Sequence, residues 1–231
     1  MLAMHPSSGI RRTNVIVRLE DDNVFKQYRN FPPVVMGQVL LRLRSPRALF
    51  GRHRCEVEEK KTRLVRESGL PLAVEYIYFL PEGTPPVTVM KYKPCFQNVE
   101  EQIRSGVSEE RAYELVMRCA AALNEFHCAG RTSKGFTLTH GDPFLENFVL
   151  VDGKAVLFDF EQEYRDGSDA VRLDRLIFFW HAADVLRECG HLEPGRLDKL
   201  QDAITTGYNG FDETLSGIGA LSRLYFRARF M

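Results

Sequence analysis

Short alternating apolar runs dominate the first part of the chain, and helical periodicity dominates the rest. Residues 14–28, NVIVRLEDDNVFKQY, read as two short strands around the turn Glu20–Asp21–Asp22–Asn23. Residues 54–68 read as a helix, with Val57, Leu64 and Val65 inside a heavily charged segment that Gly69–Leu70–Pro71 stops. AVEYIYFL (73–80) and VTVMKY (87–92) read as the strands of a hairpin, separated by the turn-rich PEGTPP. Beyond Pro94 the period changes. Ser108 suits a helix N-cap, and Ala112, Leu115, Val116, Cys119, Leu123 and Phe126 follow at helical spacing, with Gly130 just past them. FTLTHGDP, NFVLVDG and KAVLFDFE read as short strands and a loop, with Asp152–Gly153 as a hairpin turn. From Ala170 the pattern is helical to the end, broken around Gly190–Gly195 and Gly207–Gly210. The pattern predicts a two-lobed α+β chain: a β-rich N-lobe over 1–93, a mainly helical C-lobe over 94–231, and a cleft between them.

Composition narrows this little. The 231 residues are 44% apolar and 27% charged, as in an ordinary soluble globular protein. Lys plus Arg equals Asp plus Glu at 31 each, so no net field points to nucleic acid or to an acidic partner. Five cysteines (Cys55, Cys95, Cys119, Cys128, Cys189) show no CxxC or Cys/His metal spacing and read as thiols in a reducing compartment. The start, MLAMHPSSGIRRT, has no apolar h-region, and no run approaches eighteen apolar residues. A cytoplasmic setting is expected, with peripheral contact at the inner face of a membrane left open.

The chemistry lies in THGDPFLENFVLVDGKAVLFDFE, residues 139–161. Asp142 follows a small apolar run, Asn147 comes five residues later, and Asp159 comes seventeen residues later beyond a second apolar run. A carboxylate at the end of a buried strand is costly unless it is paired or bound to metal. Two acids and an amide brought together by a hairpin make an oxygen-ligand set suited to magnesium, which completes its shell with waters and phosphates.

HGDxxxxN followed by an apolar strand and DFE resembles the catalytic loop and metal motif of the protein-kinase-like superfamily. HGD in place of HRD is similar to its atypical branches: lipopolysaccharide-core sugar kinases, aminoglycoside and choline kinases, RIO kinases and the small kinase of the KEOPS tRNA-modification complex. The resemblance covers roughly residues 14–190 and implies ATP and magnesium as cofactors. It makes Asp142 the base that orients and deprotonates an acceptor hydroxyl, with His140 supporting the loop. Asn147 and Asp159 become the metal ligands. Lys26, in VFKQY, takes the place of the lysine that touches the α- and β-phosphates. Its carboxylate partner is expected at Glu58, eleven residues before Gly69, with Glu56 and Glu59 left open. VTVMKYKP resembles the strand and hinge that accept adenine through backbone groups around Lys91, Tyr92 and Lys93. Asp174 fits the aspartate that begins the helix below the catalytic loop and braces its backbone.

Departures from the family's pattern also carry information. There is no glycine-rich loop: only Gly9 and Gly37 flank the first strands. The third residue of the metal motif is Glu161 instead of glycine, as in choline-kinase-like DFE sequences. Gly141 replaces the arginine that would read an activation-loop phosphate. Fourteen residues separate Asp159 from Asp174, too few for a full peptide-docking segment, which favours a compact or non-peptide acceptor. Residues 37–54, GQVLLRLRSPRALFGRHR, carry Arg42, Arg44, Arg47, Arg52 and Arg54 among leucines and no acid. Such a stretch suits an anionic membrane or a phosphorylated glycolipid, or is a partly buried connector whose arginines are solvated or contact RNA or a protein partner. The first expectation is transfer of the γ-phosphoryl group of ATP to a glycolipid sugar hydroxyl. The second is an atypical Ser/Thr protein kinase, and the rival class is a pseudokinase or scaffold.

Overall fold

The computed structural model describes residues 14–18, 23–40, 44–91, 97–129, 138–165, 169–193 and 197–209. The architecture is α+β. Strands β1 (Asn14–Arg18), β2 (Asn23–Tyr28), β3 (Glu75–Leu80) and β4 (Val87–Lys91) form an antiparallel sheet in the order β1-β2-β4-β3. β4 is covered on both faces, which is why Val87, Thr88, Val89 and Met90 are all buried. β2 shows the period of two: Val24, Lys26 and Tyr28 point inward, and the residues between them are half-buried. That alternation puts a lysine on the buried face. β3 is an edge strand with an irregularity at Tyr76/Tyr78, and it starts two residues later than the sequence reading placed it.

Between β2 and β3 the chain forms helix α1 (Pro33–Leu40), a 3-10 turn over Pro46–Leu49, and helix α2 (Gly51–Glu67). Residues 37–54 are expected as a basic amphipathic stretch or a connector, so α1 is an addition and α2 begins earlier than expected. Gly51 permits that start, because a Cβ there would lie 2.5 Å from the Tyr28 carbonyl oxygen.

The helical part consists of α3 (Val99–Arg104), α4 (Glu109–Ala129), α5 (Ala170–Glu188) and α6 (Asp198–Gly207), with hairpin strands β5 (Phe148–Val151) and β6 (Lys154–Leu157). The sequence reading missed α3, although Asn98 and Glu101 form a reciprocal capping box at its start. Ser108 Oγ accepts from the Arg111 amide at 3.3 Å and so caps α4. Asp152 and Gly153, at φ 50° and 78°, turn the β5–β6 hairpin. The main core gathers around α4, where Leu115, Leu123 and Phe126 meet Leu145, Phe148, Phe178 and Leu186. Val65 of α2 joins the same cluster, so α2 touches both the sheet and this core.

Two local expectations change. Residues 138–141 form no strand before Asp142, because their backbone groups are taken by side chains instead of a neighbouring strand. Strand β6 ends at Leu157, two residues short of Asp159. No helix among the described residues is long and apolar enough to cross a membrane.

Candidate active site

Lys26 on β2, Glu58 on α2 and Asp159 after β6 meet in one buried cluster. Lys26 Nζ lies 2.6 Å from Glu58 Oε2, 2.5 Å from Asp159 Oδ1 and 3.1 Å from Glu161 Oε2. Glu58 also accepts from the Tyr28 hydroxyl and, at 2.9 Å, from the Tyr76 hydroxyl. Of the three acids open to the sequence reading, Glu58 is therefore the one that reaches Lys26. Glu161 in turn accepts from Asn14 Nδ2, and Arg54 Nη1 lies 3.9 Å from it.

Charges this deep are tolerable only as a mutually satisfied set. Burial by itself would lower the Lys26 pKa, but Asp159, Glu161 and Glu58 outweigh it and hold the ammonium well above the usual lysine range. Burial also works to raise Glu161, yet Lys26 and Arg54 hold that carboxyl down at about 2. Asp159 goes the other way. Its burial, against the pull of Lys26 and with repulsion from Glu161 and Glu58, pushes the carboxyl up to about 7. Three carboxylates face two cations, Lys26 and Arg54, and leave one surplus negative charge. Asp159 carries that surplus, and 34% of its side chain remains exposed. One oxygen each from Glu58, Asp159 and Glu161 lie within 4.8 Å of one another, a spacing that can hold a cation. Asp159 has φ 66°, a left-handed conformation that costs a non-glycine residue on the order of 1 kcal/mol or more and recurs at functional sites.

The loop at Asp142 is held at every backbone donor. The amides of His140 and Gly141 donate to Asp174 at 2.6 and 2.8 Å, and the Asp142 amide donates to His140 Nδ1 at 3.2 Å. Phe144 donates to the Asp142 carbonyl at 2.8 Å, and Leu145 to His181 Nδ1 at 3.1 Å. The Asp142 side chain is half-buried. Asn147 Nδ2 donates to the Asp142 carbonyl at 2.7 Å, which leaves the amide oxygen as the atom able to act as a ligand. The Phe158 amide donates to the Asn147 carbonyl at 3.1 Å, and His140 Nε2 donates to the Phe158 carbonyl at 2.8 Å. Phe158 thus pins the residue before Asp159 to the Asp142 loop. His140 is fully buried, and burial lowers its pKa to about 4, so it is a neutral imidazole donating at Nε2 and accepting at Nδ1. Its contacts make it a positioning group for the loop.

Asp174 lies in the second turn of α5, past the helix start where the sequence reading put it; Asp169 caps that start. Besides the two loop amides it accepts from the Tyr164 hydroxyl at 2.7 Å and pairs with His127 at 2.9 Å. Burial would raise its pKa, but the bond and charge of His127, with His140 and Tyr164, bring it to about 2.

Lys91 ends β4 with its side chain exposed, opposite Asn23 and Glu75, while Tyr92 and Lys93 lie outside the described residues. Within 37–54 the picture of five solvated arginines needs correction. Arg44 and Arg54 are fully buried and bond to the carbonyls of Gly141 and Arg29, because their charges satisfy interior acceptors. Arg52 pairs with Glu56 and Glu82, Arg47 is exposed, and Arg42 lies outside the described residues. The sequence reading missed Asn14, Tyr28 and Tyr76 as parts of the cluster. For Tyr28 a signal existed: it sits two residues after Lys26 and so on the same strand face. Comparison with known family models and with curated proteins found no match to this sequence.

Proposed function

We propose that the chain is an ATP- and magnesium-dependent phosphotransferase with a two-lobed, protein-kinase-like arrangement, the N-lobe over 1–93 and the C-lobe over 94–231. The observation that carries this reading is the buried Lys26 ammonium bridging Glu58 of α2 and Asp159, next to a loop in which Asn147 is tied to the backbone of Asp142. Lys26 is placed to meet nucleotide phosphates once it exchanges a carboxylate for a phosphate oxygen. Asp159 and the Asn147 amide oxygen would hold magnesium, and the surplus negative charge at Asp159 suits a divalent cation. Magnesium, when bound, would neutralise charge on the phosphate oxygens. Asp142, on a loop fixed by Asp174 and His181, would orient the acceptor hydroxyl and take its proton. Most of the rate in such chemistry comes from positioning and electrostatics, which suits a site this heavily tethered.

For the acceptor we favour a hydroxyl on a glycolipid sugar over a protein Ser or Thr, because the segment between Asp159 and Asp174 is short. A pseudokinase or scaffold is the second reading. It is favoured by the lack of glycines between β1 and β2, where Glu20, Asp21 and Asp22 would repel phosphate. The test is magnesium-dependent turnover of labelled ATP with lipid, protein and RNA fractions as acceptors, in wild type, Asp142→Ala and Asp159→Asn. Transfer in wild type and its loss in both variants supports catalysis. Equal, magnesium-independent signal in all three overturns it.

A further inference from the structure

Among the described residues, two buried cations, Lys61 and Arg44, lie outside the Lys26 cluster. Lys61 of α2 donates from Nζ to the His140 carbonyl at 3.0 Å and to the Gln162 carbonyl. Arg44, before the 3-10 turn, donates from Nη2 to the Gly141 carbonyl and from Nε to Gln38 Oε1 at 3.2 Å. Its guanidinium lies over the Tyr164 ring, 4.8 Å from the centroid, and that ring's hydroxyl bonds Asp174. The backbone ahead of Asp142 is thus held at its N–H and its C=O groups. Both amides, of His140 and Gly141, point at the Asp174 carboxylate, and both carbonyls point at cations. The His140–Gly141 peptide thus has its N–H on the Asp174 carboxylate and its C=O on the Lys61 ammonium, and the Gly141–Asp142 peptide has its C=O on Arg44 and its N–H on His140 Nδ1, which fixes the orientation of both.

The sequence around this grip is permissive in only one way. Gly141 has φ 93°, and a Cβ there would meet the Gln162 carbonyl oxygen at 2.3 Å and Arg44 Nη1 at 3.0 Å. Glycine therefore lets both the Gln162 backbone and Arg44 close on the loop. Among the described residues Lys61 has no carboxylate within ion-pair distance, and burial lowers its pKa to about 8. A buried ammonium held only by carbonyls is a poor source of stability. Arg54, Glu58 and Lys61 also share the buried face of α2, so the helix that carries the partner of Lys26 carries this grip as well.

We propose that Lys61 and Arg44 are positioning residues for Asp142, locking the 140–142 loop to α2 and to the segment after Asp159; their role in turnover rests on the phosphotransferase reading. Lys61→Met and Arg44→Met remove the grip one cation at a time, and Lys61→Gln keeps a donor. Hydrogen exchange at the amides of 140, 141, 142, 144 and 145 reads the loop directly, without substrate. Exchange there should speed up at least about tenfold in both Met variants while amides in α4 keep their rates. In the active enzyme kcat, counted per nucleotide-binding site, should fall at least about tenfold with the ATP KM within about twofold, and Lys61→Gln should recover part of both. Unchanged loop exchange in both folded Met variants overturns the proposal, as does faster exchange with unchanged kcat. If one variant does not fold, the other decides. Faster exchange together with an inactive wild type leaves the grip standing and overturns the phosphotransferase reading instead.

Discussion

Helices α2 and α4 each bury one face, and they bury opposite kinds of residue. On α4 the inward face is Ala112, Tyr113, Leu115, Val116, Cys119, Ala120, Leu123 and Phe126, with His127 near its end the polar exception that pairs with Asp174. On α2 the inward face includes Arg54, Glu58, Lys61 and Thr62 beside Cys55, Val57 and Val65. Apolar burial stabilises at roughly 25 cal/mol per Å², so α4 holds the fold together. Buried charges recover at best what their desolvation costs, so α2 sets positions more than it adds stability. Substitutions on α2 should therefore cost activity, and substitutions on α4 should cost stability.

On the phosphotransferase reading, the largest effect on activity belongs to Lys26, the partner of α2 across the cluster. Lys26→Met should lower ATP-dependent phosphoryl transfer by about 2–4 kcal/mol of transition-state stabilisation, roughly 30- to 1000-fold, measured as kcat/KM under saturating magnesium. A variant with wild-type kcat/KM would remove α2 and β2 from the chemistry.

Leu123→Ala tests the other helix. The side chain is fully buried in the core, and its truncation should cost about 2–5 kcal/mol in denaturant unfolding. Per folded molecule, turnover should stay within about twofold. A stability change under 1 kcal/mol would mean that α4 is not the stabilising element.

The smallest effect is a pH dependence in which two groups oppose each other. His140 is depressed from 6.5 to about 4, so between those values the unfolded chain binds the extra proton and stability falls as pH falls. Asp159 is raised to about 7, so over the same window the folded chain binds the extra proton and stability rises as pH falls. The two should partly cancel in wild type. Asp159→Asn removes the second and should expose a loss of about 2 kcal/mol between pH 6.5 and 5, read from urea midpoints. A flat profile in that variant would show that His140 is not held neutral by the fold.

Much of the helical region was legible in the sequence because its signals are local. Ser108 and the spacing from Ala112 to Phe126 mark α4, and Asp152–Gly153 marks the β5–β6 turn. α1 was hidden because Arg42 and Arg44 beside leucines look like an amphipathic surface, and no capping residue announces it. The short helix α3 carried a capping box that periodicity over six residues could not support.

The candidate site divides the same way. Asp142, Asn147 and Asp159 stand out in the sequence by residue type and spacing, and the motif resemblance points further to Lys26 and Glu58. Residue type and spacing alone do not contain the meeting of Lys26 with Glu58, which only the resemblance implied, or its meeting with Asp159 and Glu161, across separations of 32, 133 and more residues. Nor does it show that Arg44 and Lys61 turn inward to grip the loop at Gly141. Chain periodicity fixes which face of a helix or strand a residue occupies, since that depends only on backbone geometry. Whether a charged residue on that face meets water or an opposite charge depends on what packs against it, and only the tertiary structure decides that.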